Sequence, residues 1–570
     1  MIVRAAPDAI GSQRLTLVER HHELRDHARA AIRQRGYWSA FPENPNAYGD
    51  SGEAEGKAAF DAYLGKEFPL TQAGVDTHVG SERSPFGFEL GVTYPHSSTD
   101  GLLAAAAAAI PPWRDAGPDV RAAVCIEIVT QLNKRSHELA HAVMHTTGQA
   151  YVMAFQAGGP HAQERALESI AFAYDEMTRH AESAIWEKPQ GKRPSLRVNK
   201  TFRIAPRGVA MVIGCNTFPT WNAYPGLFAS LATGNAVIVK PSRRAVLPLA
   251  ITVAAARDVL AEAGFDPDLV TLAADGESER RATEFATRPE VKLIDYTGSS
   301  DLGQWLERNT PQAVVFTEKA GVNSVVVEST SAYEGMLDNL AFTLSLYSGQ
   351  MCTTTQNLIV PRTGIDTDQG RKSPDEFARD LAGAIDGLLS DSRRATAILG
   401  AIANSDILER LDRSASFGTT ILASRAIEHP EYAHAVVRTP TLIAVDGEAE
   451  LQFHLEEQFG PISFVVTVSD TSAALRLLGE TTSRCGAITA GVYSTNDAVL
   501  AEAERVALEA GVALSENLTD GVYVNQSAAF SDFHATSANP AANASLTDAA
   551  FVASRFHVVQ SRRPSEETEK

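Results

Sequence analysis

Gly208-Val209-Ala210-Met211-Val212-Ile213 is a short, unbroken apolar run, and a stretch of helical character through Leu231 separates it from a second run, Ala236-Val237-Ile238-Val239, which ends at Lys240. Apolar runs without polar alternation are strands covered on both faces, and such strands alternating with helices form parallel sheets through right-handed crossovers. The pattern repeats. A helix from Ile251 to Ala263, capped by Gly264, leads to further runs at Leu269 to Ala273, Val291 to Ile294 and Ala313 to Phe316. The fold class expected is therefore α/β, with a doubly wound, Rossmann-type sheet. A second strand and helix series starts at Asn323-Ser324-Val325-Val326-Val327 and runs past Val524, which predicts a second α/β domain.

Outward from this centre the periods change. From Arg14 to Ile32 the apolar residues Leu15, Val18, Leu24, Ala28 and Ile32 recur at helical spacing until Phe41-Pro42-Glu43-Asn44-Pro45-Asn46 breaks them. Residues 99 to 185 read as successive helices with a C-cap at Gly148. Leu196 to Ile204 alternates as a two-sided strand, suited to an arm or an edge, and Arg562 to Lys570 reads as a frayed, charged tail. The divisions expected are a helical and loop-rich extension over 1–98, a cofactor domain over 99–317 with arm strands near 187–204, a catalytic domain over 318–530, and a closing segment over 531–570.

Composition excludes several classes. The chain has 570 residues with 44% hydrophobic and 21% charged, enough to bury large cores. Its 50 basic and 70 acidic residues give a net charge of −20, which repels phosphate backbones, so nucleic acid is not expected as a partner. Four scattered cysteines, Cys125, Cys215, Cys352 and Cys485, form neither a disulfide framework nor a CxxC metal site and fit a reducing compartment. The start of the chain lacks the apolar run of a signal peptide, and the longest apolar stretch, Leu102 to Ile110, is too short to span a bilayer. A cytoplasmic protein without membrane contact is expected.

Five local motifs carry chemistry. His137-Glu138-Leu139-Ala140-His141 is an HExxH pattern, which sets two imidazoles and a glutamate on one helix face as in zinc peptidases. Met144 stands where the extended form has glycine, so a solvated helix face is the competing reading. Gly298-Ser299-Ser300 follows a strand and opens a helix, where backbone N–H groups meet phosphates, or where an ordinary tight turn sits. Lys240 ends a buried strand and is followed by Pro241-Ser242-Arg243-Arg244, a cationic group at the strand ends where α/β sheets bind ligands. Cys352 lies in Ser348-Gly349-Gln350-Met351-Cys352-Thr353, with glycine allowing close backbone approach. Glu318 follows a strand in a turn of small residues.

Together these motifs resemble the aldehyde dehydrogenase superfamily. Asn216-Thr217-Phe218-Pro219, Gly234-Asn235, Val239-Lys240-Pro241-Ser242, Thr297-Gly298-Ser299, Glu318 with Gly321, Gly349-Gln350-Met351-Cys352 and Glu457-Gln458-Phe459-Gly460-Pro461 stand in that family's order, over roughly residues 100 to 560. The resemblance implies that Cys352 is the nucleophile, that Asn216 and the Cys352 N–H stabilise the oxyanion, and that Glu318 activates the hydrolytic water. It implies that Lys240 and Glu457 hold the two riboses of NAD or NADP, with Ser242, Arg243, Gly298, Ser299 and Phe459 at the same cofactor. No metal is then expected, and the HExxH becomes part of a scaffold helix. The family also implies a homodimer or homotetramer built on a β arm that pairs Leu196 to Ile204 with a strand near Phe556 to Val559.

Three departures refine the expectation. One residue is inserted beside the oxyanion asparagine, in Cys215-Asn216-Thr217-Phe218-Pro219. Arg243 stands where enzymes using NAD carry a glutamate, which predicts NADP over NAD through pairing with a 2′-phosphate. Phe530-Ser531-Asp532-Phe533-His534 replaces the glycine-rich C-terminal signature. The stretch Gly214 to Asn222 with a long extension is similar to the phenylacetate-degradation (PaaN) type, which implies a small-molecule aldehyde, here a CoA-linked semialdehyde, oxidised to the acid. The semialdehyde dehydrogenase of the benzoyl-CoA pathway is the alternative within the family, and a zinc peptidase the alternative outside it.

Overall fold

The computed structural model describes residues 7–276, 278–449, 452–524, 529–546 and 548–565. Its first sheet is the one foreshadowed by the apolar runs. Five parallel strands lie in the order Val270–Leu272, Ala236–Lys240, Val209–Ile213, Val291–Thr297, Val314–Glu318. The first strand in sequence is central and the chain winds outward on both sides, so the strand order reverses between Val209–Ile213 and Val291–Thr297. Such a switch point opens a crevice at the carboxyl ends of the strands, where dinucleotides bind. Every residue of Val209–Ile213 and Ala236–Lys240 is buried, and each large aliphatic side chain there contributes about 1.5–3 kcal/mol of transfer free energy.

The second sheet has seven strands in the order Thr419–Leu422, Thr441–Asp446, Ile462–Val468, Thr355–Pro361, Asn323–Val327, Thr489–Tyr493, Ala513–Glu516. All are parallel except the edge strand Thr419–Leu422. Val524 lies beyond its last strand, in a turn.

The third sheet is the arm. Phe556–Pro564 pairs antiparallel with Arg193–Pro206, which pairs antiparallel with Ser183–Gln190. The helical stretch therefore stops at Met177, earlier than its pattern suggested, and the arm gains a strand before residue 187. The frayed tail expected from Arg562 onward is corrected at its start, because Arg562 and Arg563 continue the pairing, opposite Lys200 and Asn199.

The closing segment is fastened to the first sheet by one buried ion pair. The Arg555 guanidinium is fully buried, donates to both Asp295 oxygens at 2.8 and 2.5 Å, and lies over the rings of Phe316 and Phe551. Breaking such a pair strands a buried charge, at a cost of roughly 3–5 kcal/mol.

The N-terminal extension is packed, not loose. The helix Pro7–Gln34 lies against the helices Gly117–Lys134 and Pro160–Met177. The extension also carries two short paired strands, Val75–Val79 and Tyr94–Ser97, which its loop-rich sequence did not signal. Glu82 is buried and accepts from the Val246 and Leu247 N–H groups that open the helix Leu247–Glu262, so the extension caps a helix of the cofactor domain.

The HExxH helix, Ser136–Thr147, corrects the solvated-face reading, because all twelve of its residues are buried. Phe60 stacks on the His141 and His145 rings, and Gly56 abuts His137 so closely that a Cβ there would collide with it. Burial pushes the His141 imidazole down to about 4 and His145 to about 3, so both are neutral at physiological pH. Glu138 is held by Arg135 and the Tyr63 hydroxyl, and His137 Nδ1 by the Tyr151 hydroxyl at 2.6 Å. The carboxylate that a peptidase would need as its base is thus engaged in a structural ion pair.

Among the described residues, no helix is long and apolar enough to cross a membrane.

Candidate active site

Cys352 sits in a tight loop between the short helical turn Leu346–Gly349 and the strand Thr355–Pro361. Tyr347 and Ser348 both adopt positive φ, and Gly349 approaches the Gly460 carbonyl so closely that a side chain would collide with it. This strained turn is held from several sides. The Tyr347 hydroxyl donates to the Thr147 carbonyl at 2.5 Å, Gln350 donates to Tyr347 and Ala401 carbonyls, and Asn323 donates to the carbonyls of Cys352 and Thr354 at 2.8 and 3.0 Å. Asn323 also accepts from the Ile488 and Thr489 N–H groups, so one buried amide fixes the thiol loop to the second sheet. The HExxH helix, through Thr147, is one wall of the site.

Glu318 ends the last strand of the first sheet and is only 1% exposed. Its Oε2 lies 3.1 Å from His534 Nε2, and the carboxylate oxygen, the Cys352 sulfur and the imidazole nitrogen all fall within 4.8 Å of one another. Its Oε1 finds no partner with hydrogen-bond geometry among the described residues. Burial pushes the Glu318 carboxyl up, but His534, the Cys352 thiol and the Arg165 guanidinium outweigh it and hold it below the ordinary value. The Cys352 thiol moves the opposite way, far above the ordinary value, through burial first and the Glu318 carboxylate second. The resting pair is therefore a neutral thiol beside an ionised carboxylate.

Asn216 lies in the turn between Val209–Ile213 and the helix Pro219–Ala232, and its amide donates to the Thr146 carbonyl at 3.3 Å. An amide has two N–H groups, so one remains for an oxyanion. This turn borders the thiol loop: its Phe218 ring packs edge-on against Tyr347, with centroids 5.7 Å apart.

Of the remaining predicted residues, Lys240, Ser242, Arg243, Gly298 and Ser299 lie at or just after the carboxyl ends of strands of the first sheet, whereas Glu457 and Phe459 lie in the loop before the strand Ile462–Val468 of the second. Lys240 is buried, and its ammonium pairs with Asp275 at 2.5 Å. Ser242 shapes the turn that follows, accepting weakly from the Arg244 N–H, and Arg243 is exposed at its rim. Gly298 and Ser299 occupy the turn before the helix Ser300–Asn309. The Gly298 N–H donates to the Glu318 carbonyl, and the Tyr296 hydroxyl to that of Ser299. Glu457 accepts from the Gly321 N–H at 3.5 Å, and burial pushes its carboxyl up to about 7. The Phe459 carbonyl accepts from Arg410 at 2.6 Å.

A dinucleotide suits this crevice. Asp275 Oδ1 is buried without a hydrogen-bond partner among the described residues, an acceptor in want of a donor such as a ribose hydroxyl, beside the Lys240 ammonium.

Four residues of the site escaped sequence reasoning. Asp275, Asn323, Arg165 and His534 carry no local motif. The alteration of the 530–534 segment was visible, but not that His534 returns to touch Glu318, 216 residues away in sequence.

Residues 94–529 match the family model described as the aldehyde dehydrogenase family. The chain belongs to that family. A solved structure, described as an NAD-dependent aldehyde dehydrogenase from Burkholderia multivorans, is 53% identical and superposes with a TM-score of 0.95 over 97% of this chain and 99% of that one. Curated relatives include an N-succinylglutamate 5-semialdehyde dehydrogenase of Yersinia pseudotuberculosis, 26% identical over 67% of this chain and 72% of that protein. A 2-aminomuconic 6-semialdehyde dehydrogenase of Pseudomonas is 28% identical over 66% and 74%.

Proposed function

We propose that this aldehyde dehydrogenase oxidises a semialdehyde to its carboxylic acid through a thioester on Cys352, with Glu318 serving as base twice in each turnover. The observation that carries this reading is the buried carboxylate lying beside a thiol that keeps its proton. A thiol held neutral is a poor nucleophile until a base takes its proton, and Glu318 is the base within reach. The thiolate then adds to the aldehyde carbon, while the free N–H of Asn216 and the Cys352 N–H meet the developing oxyanion. The nicotinamide cofactor, when bound, supplies the hydride acceptor. In the second half, Glu318 takes a proton from water, hydroxide adds to the thioester, and the departing thiolate recovers the proton.

Lys240, Ser242, Gly298, Ser299, Glu457 and Phe459 would hold the cofactor. The charges at its ribose pocket are opposed. Arg243 favours a 2′-phosphate, whereas the Asp275 carboxylate on Lys240 suits a free hydroxyl and repels phosphate. Asp275 is the more buried of the two, so we favour NAD, in keeping with the name of the Burkholderia multivorans relative. Asp275→Ser should shift the ratio of kcat/KM values toward NADP by at least tenfold, and Arg243→Glu should shift it toward NAD. An unchanged ratio in Asp275→Ser would refute the role of the carboxylate.

For the substrate we retain a CoA-linked semialdehyde of aromatic catabolism, supported by the Gly214 to Asn222 resemblance and by relatives named for semialdehydes. The benzoyl-CoA pathway aldehyde is the second reading, on the same resemblance. A screen of free and CoA-linked aldehydes with both cofactors tests the assignment. Acid as product and no turnover by Cys352→Ala are expected; turnover by that variant, or a thioester made from free CoA, would sink it.

A further inference from the structure

The catalytic reading leaves one proton unaccounted for. When the Cys352 S–H bond breaks, the proton passes to Glu318, the S–C bond forms, and the C–H electron pair leaves as hydride to the oxidised cofactor. Glu318 is then a carboxylic acid, and it must lose that proton before it can accept another from water. The proton of the second half is returned to the thiolate, so each turnover discards the first one through Glu318. Yet Glu318 is only 1% exposed.

His534 touches the carboxylate through Nε2, and its side chain is 11% exposed against 1% for that of Glu318. We propose that His534 resets Glu318 between the two half-reactions by carrying its proton to solvent. At rest Nε2–H donates to the carboxylate. Once Glu318 holds the proton the imidazole exchanges to the Nδ1–H tautomer, Nε2 then takes the proton from Glu318 as Nδ1 releases its own to water, and this transfer itself returns the resting tautomer. The inference rests on the roles given above to Cys352 and Glu318.

The segment that brings His534 to this position is held from the N-terminal extension. Arg35 Nε donates to the Ser531 carbonyl at 3.1 Å, its guanidinium lies 4.1 Å from the centre of the Phe533 ring, and Trp38 packs edge-on against Phe530. Arg35 Nη1 reaches Glu168, so the same side chain ties this clamp to the helix Pro160–Met177, which also supplies Arg165. The His534 carbonyl accepts from the Leu546 N–H, closing the loop behind the imidazole. A residue that was merely a surface histidine would need none of this.

Two variants separate carrying a proton from holding the carboxylate. His534→Gln keeps an N–H for Glu318 but cannot take up a proton, and His534→Ala leaves room for added imidazole. Rapid acid quench followed by mass spectrometry reads the thioacyl enzyme, independently of steady turnover. At about pH 7, well above the acid limb, both variants should acylate Cys352 at the wild-type rate, accumulate the thioacyl form, and turn over on the order of 100-fold more slowly. Imidazole should restore His534→Ala. Wild-type turnover by His534→Gln would show that the imidazole only holds Glu318 and would overturn the relay. Acylation slowed as much as turnover would overturn it too. Cys352→Ala as control separates the two claims: turnover by that variant removes the thioester reading itself, whatever the histidine variants do.

Discussion

Glu318 and Cys352 are displaced in opposite directions, Cys352 upward chiefly by burial and Glu318 downward, against burial, chiefly by His534, and each adds to the displacement of the other. Each stabilises the form of the other that the resting enzyme holds, a carboxylate and a thiol. The consequence for pH is signed. Because its folded-state value is depressed, Glu318 keeps its charge, and its capacity as base, until pH falls through a value below the ordinary 4.5. The acid limb of the acylation rate, measured by brief pH jumps, should therefore lie below pH 4.5 and move upward in His534→Gln. A limb unchanged by that substitution would mean that His534 does not act on the carboxylate. At this scale the sequence was partly legible. The thiol, the glutamate and Lys240 announced themselves through neighbouring glycines and strand ends. Asp275 and His534 did not, because their function lies in what they touch, and both contacts are made across distant segments.

At the scale of elements, strands were easier to read than helices. A strand buried on both faces writes its burial directly as an apolar run, so the five-stranded sheet was visible from residue 208 onward. The helix Ser136–Thr147 carries histidines, a glutamate and threonines, and looked solvated. It is buried because the extension places Phe60 and Tyr63 over it, and no local pattern records that cover. The extension itself acts on the site through Arg35 and Trp38. Arg35→Ala should leave the fold intact and lower turnover several-fold with little change in acylation, a weaker copy of the His534 phenotype, read by the same acid-quench experiment. Equal loss in both steps would indicate a general disturbance of the site instead.

At the scale of the whole molecule, the arm is the outstanding feature. Ile185, Trp186, Leu196, Val558 and Val559 are each between 41% and 57% exposed on a sheet with two open edges. Large apolar side chains on an unprotected sheet are a liability in a lone chain and an asset between copies. We therefore expect a homodimer or homotetramer assembled through this sheet. Paired Val558→Lys and Val559→Lys substitutions should dissociate it, as read by sedimentation or scattering, without loss of the individual fold. A wild-type monomer at micromolar concentration would count against the arm as an interface. A net charge of −20 would keep such assemblies apart from one another in solution, while the cationic Lys240 is buried.

The strained loop at Tyr347 and Ser348 and the neutral thiol that it presents also bear on the survival of the enzyme. Peroxides and alkylating reagents attack thiolates rather than thiols. A cysteine that surrenders its proton only to an adjacent carboxylate is chemically quiet toward such reagents and becomes reactive only when its own base draws the proton away. Resting Cys352 is therefore expected to react with peroxide and iodoacetamide more slowly than a free thiol at the same pH, as read by mass spectrometry, and an equal rate would count against the neutral resting thiol.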